Sequence, residues 1–149
     1  MALILDTGVL LAFVDTRQSA HKAATTAIKQ HGPPFLTVES VLSELGFLLR
    51  RDRMSPALAV DLVTDGGIEV VPMLERSAER IRELMRAYAT VPMSLADACL
   101  VALSELRREA PIATFDSDFH IYRRFRHDPL PLAHLPTRIE DDIAQYIAD

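Results

Sequence analysis

Two short apolar runs, each stopped by an aspartate, constrain this chain more than any other feature. "ALIL" (2–5) ends at Asp6, and "PIATF" (111–115) runs into Asp116 of "DSDF". Short apolar runs of this length fit buried strands. Two more follow the same pattern, "FLTV" (35–38) and "IEVVPM" (68–73), and helical segments separate them all. Strands alternating with helices fold as an α/β domain, with a mainly parallel sheet and helices on both faces. In such sheets ligands meet the carboxyl ends of the strands. Asp6 and Asp116 should emerge at that edge together.

The helices are legible from period and punctuation. "GVLLAFV" forms a short first helix. Ser19 opens a second to about Gln30, stopped by His31-Gly32-Pro33-Pro34. Apolar residues at 41, 42, 45, 48 and 49 mark a third, ending in the basic "RRDR". "SPALAVDLVTDGG" predicts a fourth, with Ser55 as N-cap, Pro56 at the first position and Gly66 or Gly67 past its end. Residues 75–89 form an amphipathic helix, and 94–108 a nearly all-apolar one. "LPLAHL" (130–135) predicts a fifth strand, which its prolines confine to an edge. A last helix is expected at 138–148. No linker or repeat divides the 149 residues, so a single domain over 1–149 is expected.

Composition excludes several classes. No apolar run approaches the ~18 residues of a membrane span, and the apolar N-terminus is broken by Asp6 and lacks a basic start, unlike a signal peptide. The lone cysteine, Cys99, cannot form an internal disulfide and reads as a packed thiol of a reducing, cytoplasmic setting. The net charge of −5 argues against a general nucleic-acid coat. Yet all but two of the 16 basic residues are arginine, and several cluster. Arg50, Arg51 and Arg53, then Arg123, Arg124 and Arg126, are candidate phosphate contacts; solvated helix ends and salt bridges are the plain alternative.

Four acids could converge. Asp6 and Asp116 follow strands, Glu44 borders the apolar stripe of its helix, and Asp97 is the only charge from Leu95 to Leu103. Each has a purely structural reading as a cap or solvated residue. Ser94-Leu95-Ala96-Asp97 even matches a capping box. Capping at Asp97, however, does not explain why two remote strands both end in aspartate. Four clustered carboxylates repel unless some protonate or a hard cation sits among them. Thr7, Ser94 and Thr114 could orient carboxylates or bound waters, and Asp118 is a further candidate acid.

Other chemistries lack their residues. No serine–histidine pair stands out, the five histidines show no metal-binding pair at i, i+4, and there is no Gly-rich phosphate loop. A haloacid-dehalogenase-like site would want an aspartate where Gly8 stands. A receiver domain would want a late lysine, and none follows Lys29.

With these residues assembled, "LILDTGVLLAFVD", Glu44 in "VLSELGFLL", "MSLADACLVAL" and "IATFDSDF" resemble the PIN domain family, particularly its VapC-type toxins. The resemblance covers nearly the whole chain. It implies a three-layer sandwich around about five strands, and a Mg2+- or Mn2+-dependent endoribonuclease centre at the positions of Asp6, Glu44, Asp97 and Asp116. Asp6 and Asp97 are the leading metal ligands, with Asp116 and Glu44 completing the site or holding the attacking water. Asp116 takes the fourth role over Asp118 because it follows Thr114 in the family's Thr-x-Asp pattern. The resemblance further implies RNA, often tRNA or rRNA, as substrate, an antitoxin whose tail covers the site, and a homodimer. A PIN-type nuclease of RNA processing and a non-cleaving RNA- or partner-binding module are the alternatives.

Overall fold

The structure, a computed structural model, describes residues 1–136. The helix expected at 138–148 lies outside them. Four parallel strands form one sheet: β1 (Leu3–Leu5), β2 (Phe35–Thr37), β3 (Ile68–Val70) and β4 (Ile112–Ala113), in the order β3-β2-β1-β4. Successive strand residues face opposite sides, so the burial of all of Leu3, Ile4 and Leu5 means that both faces of β1 are covered. Each such side chain contributes about 1.5–3 kcal/mol by leaving water.

The helices are α1 (Thr7–Val14), α2 (His21–His31), α3 (Glu39–Arg51), α4 (Leu58–Thr64), α5 (Leu74–Ala87) and α6 (Leu95–Leu106). α3 buries Val41, Leu45 and Leu49, one side of the expected stripe. α6 buries eight of its residues and packs against α3 and α5. Arg80 of α5 bonds Glu105 of α6 at 2.8 Å beside that apolar contact. α2 ends at Gly32, whose φ of 73° is a conformation glycine adopts without strain.

Three local expectations are corrected. Ser55 does not cap α4: its hydroxyl accepts from the N–H of Ala57 at 3.3 Å, and the chain makes a turn before the helix begins at Leu58. β3 and β4 are shorter than their apolar runs: Pro72, without an N–H to donate, follows β3, and β4 starts after Pro111 and ends at Ala113, where Thr114 turns to bond Asp6 and Asp116. The stretch 130–135 forms no full strand; it contributes one parallel bridge, Leu132 to Ile112, between Pro131 and Pro136. Among the described residues the sheet thus has four strands, with this bridge beside β4, close to the about five expected.

A feature absent from the sequence reading is the hairpin of β5 (Arg123–Arg124) and β6 (Asp128–Pro129). Its loop holds Phe125 and Arg126 at positive φ. Arg124 fastens it to α6, donating to the carbonyls of Ser104 at 3.0 Å and Arg108 at 2.7 Å. Arg108 lies over the Phe125 ring, 4.9 Å from its centre.

Candidate functional site

Backbone geometry builds the site. β1 and β4 lie side by side, so the chain leaves both at the same edge. Asp6 is there the N-cap of α1, in extended conformation, and its Oδ1 accepts the N–H of Thr7 at 2.7 Å. Its Oδ2 accepts the hydroxyl of Thr114 at 2.6 Å, and that hydroxyl in turn accepts the N–H of Asp116 at 3.0 Å. Asp116 caps a 3-10 turn (Ser117–His120), its Oδ1 accepting the N–H of Asp118 at 2.9 Å. The hydroxyl of Thr7 donates to Oε2 of Glu44 at 3.1 Å and so ties α1 to α3.

Asp97 comes from the first turn of α6. The capping box is present: Ser94 Oγ accepts the N–H of Asp97 at 3.0 Å, and Asp97 Oδ2 accepts the N–H of Ser94 at 3.3 Å. Oδ2 also accepts the hydroxyl of Tyr122 at 2.9 Å. The aromatic ring of Tyr122 is fully buried, edge-to-face with Tyr88 and Phe119 at 5.2 Å each.

The acids feel one another. Burial pushes the Asp6 carboxyl up to about 6; the bonds from Thr114 and Thr7 resist this, and the charges of Asp97 and Asp116 add to it. Burial likewise raises Asp97, against the pull of Ser94 and Tyr122 and with a push from Asp116. Glu44 is an exposed residue, but partial enclosure of its carboxyl end raises it, Thr7 lowers it and Asp97 raises it. Tyr122 is held far above its ordinary value by burial and by Asp97, so it stays a donor. Asp6, Glu44, Asp97 and Asp116, drawn from four remote segments, thus form one coupled electrostatic group.

The donor set consists of hard carboxylate oxygens with no histidine or thiol, the chemistry of magnesium or manganese sites. Among the described residues, no three His, Cys, Asp or Glu side chains form a ready-made metal-binding group. The charges suit a divalent cation, and a hard cation bound by a few carboxylates keeps much of its water.

The candidate arginines are not alike. Arg123 donates to the carbonyls of His120, Ile121 and Tyr122, Arg124 holds the hairpin to α6, and Arg126 pairs with Glu83 at 2.8 Å. Arg51 forms a surface pair with Asp52 at 2.9 Å. The side chains of Arg50 and Arg53 have no partner among the described residues. Asp118 faces the site mainly through its backbone, although its charge reaches Tyr122. Tyr122 itself was missed in the sequence. Its only signal is the aromatic series Phe119, Tyr122, Phe125 just past Asp116. Beside Glu44 a groove of about 790 Å³ opens, walled by Val38, Val71, Met73, Leu74, Leu95 and Cys99. Cys99 is a buried free thiol whose pKa is raised by burial.

A parallel α/β domain with carboxylates gathered beyond the strands that leave its centre defines a class of acid-centred folds. Residues 3–124 match the PIN domain model, and the chain belongs to the PIN domain family. Its fold is similar to that of Mycobacterium tuberculosis VapC20, a sarcin–ricin loop cleaving toxin, with a TM-score of 0.69 and 19% identity over 85% of this chain and 99% of that one. It is also similar to a chain of a toxin–antitoxin complex from Klebsiella pneumoniae, with a TM-score of 0.59 and 19% identity over 78% and 89% of the two chains. No curated protein matches it at the level of sequence.

Proposed function

We propose that this PIN domain, a single unit over residues 1–149, is a divalent-metal-dependent endoribonuclease and the toxin of a toxin–antitoxin pair. The observation that carries the reading is the gathering of Asp6, Glu44, Asp97 and Asp116 from four remote segments, where burial lifts Asp6 to about 6 and the charges of Asp97 and Asp116 add to it. A protein under no functional demand would relieve that repulsion by substitution. The two solved toxin-system folds support the toxin reading.

Asp6 and Asp97 would hold Mg2+ or Mn2+, with Asp116 and Glu44 completing the charge around it. When bound, the cation supplies Lewis-acid chemistry at the phosphoryl group. The chain's own residues do the rest. Thr114 and Thr7 fix the Asp6 carboxylate in one orientation, and Thr7 at the same time fixes Glu44. Ser94 and Tyr122 occupy Oδ2 of Asp97 and leave its Oδ1 without a hydrogen bond among the described residues. Glu44 and Asp116 are the more exposed acids and are placed to orient an attacking water.

The substrate would be RNA of the tRNA or rRNA class, and the partner an antitoxin protein, with the toxin itself a homodimer. Such partners belong to the cytoplasm. No helix among the described residues is long and apolar enough to cross a membrane. The test is cleavage of total RNA by purified wild-type protein with Mg2+, with EDTA, and with Asp6→Asn or Asp97→Asn. Wild-type cutting that needs the metal and both aspartates is expected. Wild-type rates in either variant would overturn the metal-site reading. Growth arrest on expression, relieved by the adjacent open reading frame, separates a toxin from an RNA-processing nuclease.

A further inference from the structure

A single exposed phenylalanine on a soluble protein needs no account. Here two aromatic rings are exposed, and both stand beside acids of the site. Phe47 is 71% exposed on α3, one turn from Glu44, and Phe115 is 42% exposed immediately before Asp116. Every other described phenylalanine or tyrosine is buried or half-buried. The two rings come from different walls, one from α3 and one from the segment that leaves β4. Neither lines the large aliphatic groove at Leu74 and Leu95. Phe47 instead shares a smaller concavity, about 370 Å³, with Ser43, Glu44 and Leu48. One turn further along α3, Arg50 is exposed, and its side chain has no partner among the described residues.

An aromatic ring beside a phosphate-cleaving site fits the flat face of an unpaired base. Stacking of this kind is tolerant of sequence, and it favours single-stranded segments whose bases are already splayed. A free guanidinium next to such a ring suits the adjoining backbone phosphate. We propose that Phe47 and Phe115 are stacking platforms that hold two unpaired bases on either side of the acidic centre, with Arg50 meeting the phosphate beyond Phe47. This inference rests on the nuclease reading above and adds to it the form of RNA that is held. The substrate is a loop or single strand, gripped by its bases as well as its backbone.

The test uses the full chain in an Asp6→Asn background, so that RNA is held without being cut. The probe is a single-stranded 12-nucleotide oligoadenylate carrying 2-aminopurine, whose fluorescence is quenched by stacking. Phe47→Leu and Phe115→Leu keep apolar surface but lose the aromatic face. Each should weaken binding roughly 5–150-fold, the range of a lost stacked base, and each should abolish part of the quench. Phe47→Tyr and Phe115→Tyr should restore both. Both side chains are exposed, so the leucine variants should melt at the wild-type temperature. RNA binding and quench unchanged in the leucine variants would overturn the stacking proposal while leaving the nuclease reading intact. Loss of a dimer on Phe47→Leu, with RNA binding unchanged, would overturn it in favour of a protein interface. Failure of the parent to bind any RNA would overturn both readings, which separates the two kinds of failure.

Discussion

The hydroxyl of Tyr122 donates to Oδ2 of Asp97 at 2.9 Å, from a ring that is wholly buried between Tyr88 and Phe119. The bond joins the segment after Asp116 to the start of α6, and it holds down an acid that burial pushes up. Tyr122→Phe keeps the packing and removes the donor. It should cost about 1.5–3 kcal/mol, the worth of a hydrogen bond to a charged group, read by urea unfolding. It should also raise Asp97 further, so the acidic limb of the cleavage rate moves to higher pH.

Asp6→Asn should trade stability against activity. At pH 7 a carboxyl held at about 6 rather than its ordinary 3.8 stays charged at a cost of about 3 kcal/mol. The amide removes that cost, although it weakens the bonds from Thr7 and Thr114, so a net gain of about 1–3 kcal/mol is expected. RNA cleavage should fall at least about 100-fold. Calorimetry and a cleavage assay on one preparation check both.

The same carboxyl makes metal-free stability depend on pH. Between about 4 and 6 the folded protein binds more protons at Asp6 than the unfolded chain does, so stability should fall as pH rises through that window. Asp6→Asn should flatten this slope. Mg2+ added at pH 7 should raise the melting temperature of the wild type more than that of the variant, as thermal scans in EDTA and in Mg2+ will show.

Thr114→Val removes the donor to Asp6 and the acceptor of the Asp116 N–H at once. The Asp6 carboxyl should titrate higher still, because the bond that resists its rise is gone. Thr114→Ser keeps both contacts and should titrate like the wild type. Carbonyl carbon-13 shifts followed through a pH titration distinguish the two.

Far from the site, Asp15 is buried and accepts from Arg17 through side chain and backbone, which lowers its carboxyl to about 2. Its contribution to stability is present above about 4 and is lost as pH falls toward 2. Asp15→Asn should therefore destabilise the protein at pH 7 and show less acid sensitivity in that range, measured by circular dichroism.

How much of this was legible in the sequence varied with the range of the signal. β1 and its aspartate could be read because the strand, its stop and the following helix are all local. The capping box at Ser94 and Asp97 spans three residues and was equally plain. Short strands are harder: in "IATF" and "LPLAHL" apolar content exceeds what can pair; Thr114 turns away to the site in the first, and prolines limit pairing in the second. Tyr122 could not be found, because its bond to Asp97 crosses 25 residues of chain with no period to mark it. The roles of the arginines were hard to read for a related reason. Composition shows a guanidinium but not whether its donors are taken, and Arg123 and Arg124 use theirs on nearby carbonyls.

The placement of β4 bears on the history of each molecule. Asp6 and Thr114 meet across 108 residues, and β1 gains its second neighbour only when β4 docks. A chain still being translated presents Asp6 well before Thr114 and Asp116, which follow it by more than a hundred residues. The acids cannot be gathered on a partial product. The acid cluster is a property of the whole span from β1 to β4, and any product that stops short of Thr114 lacks it.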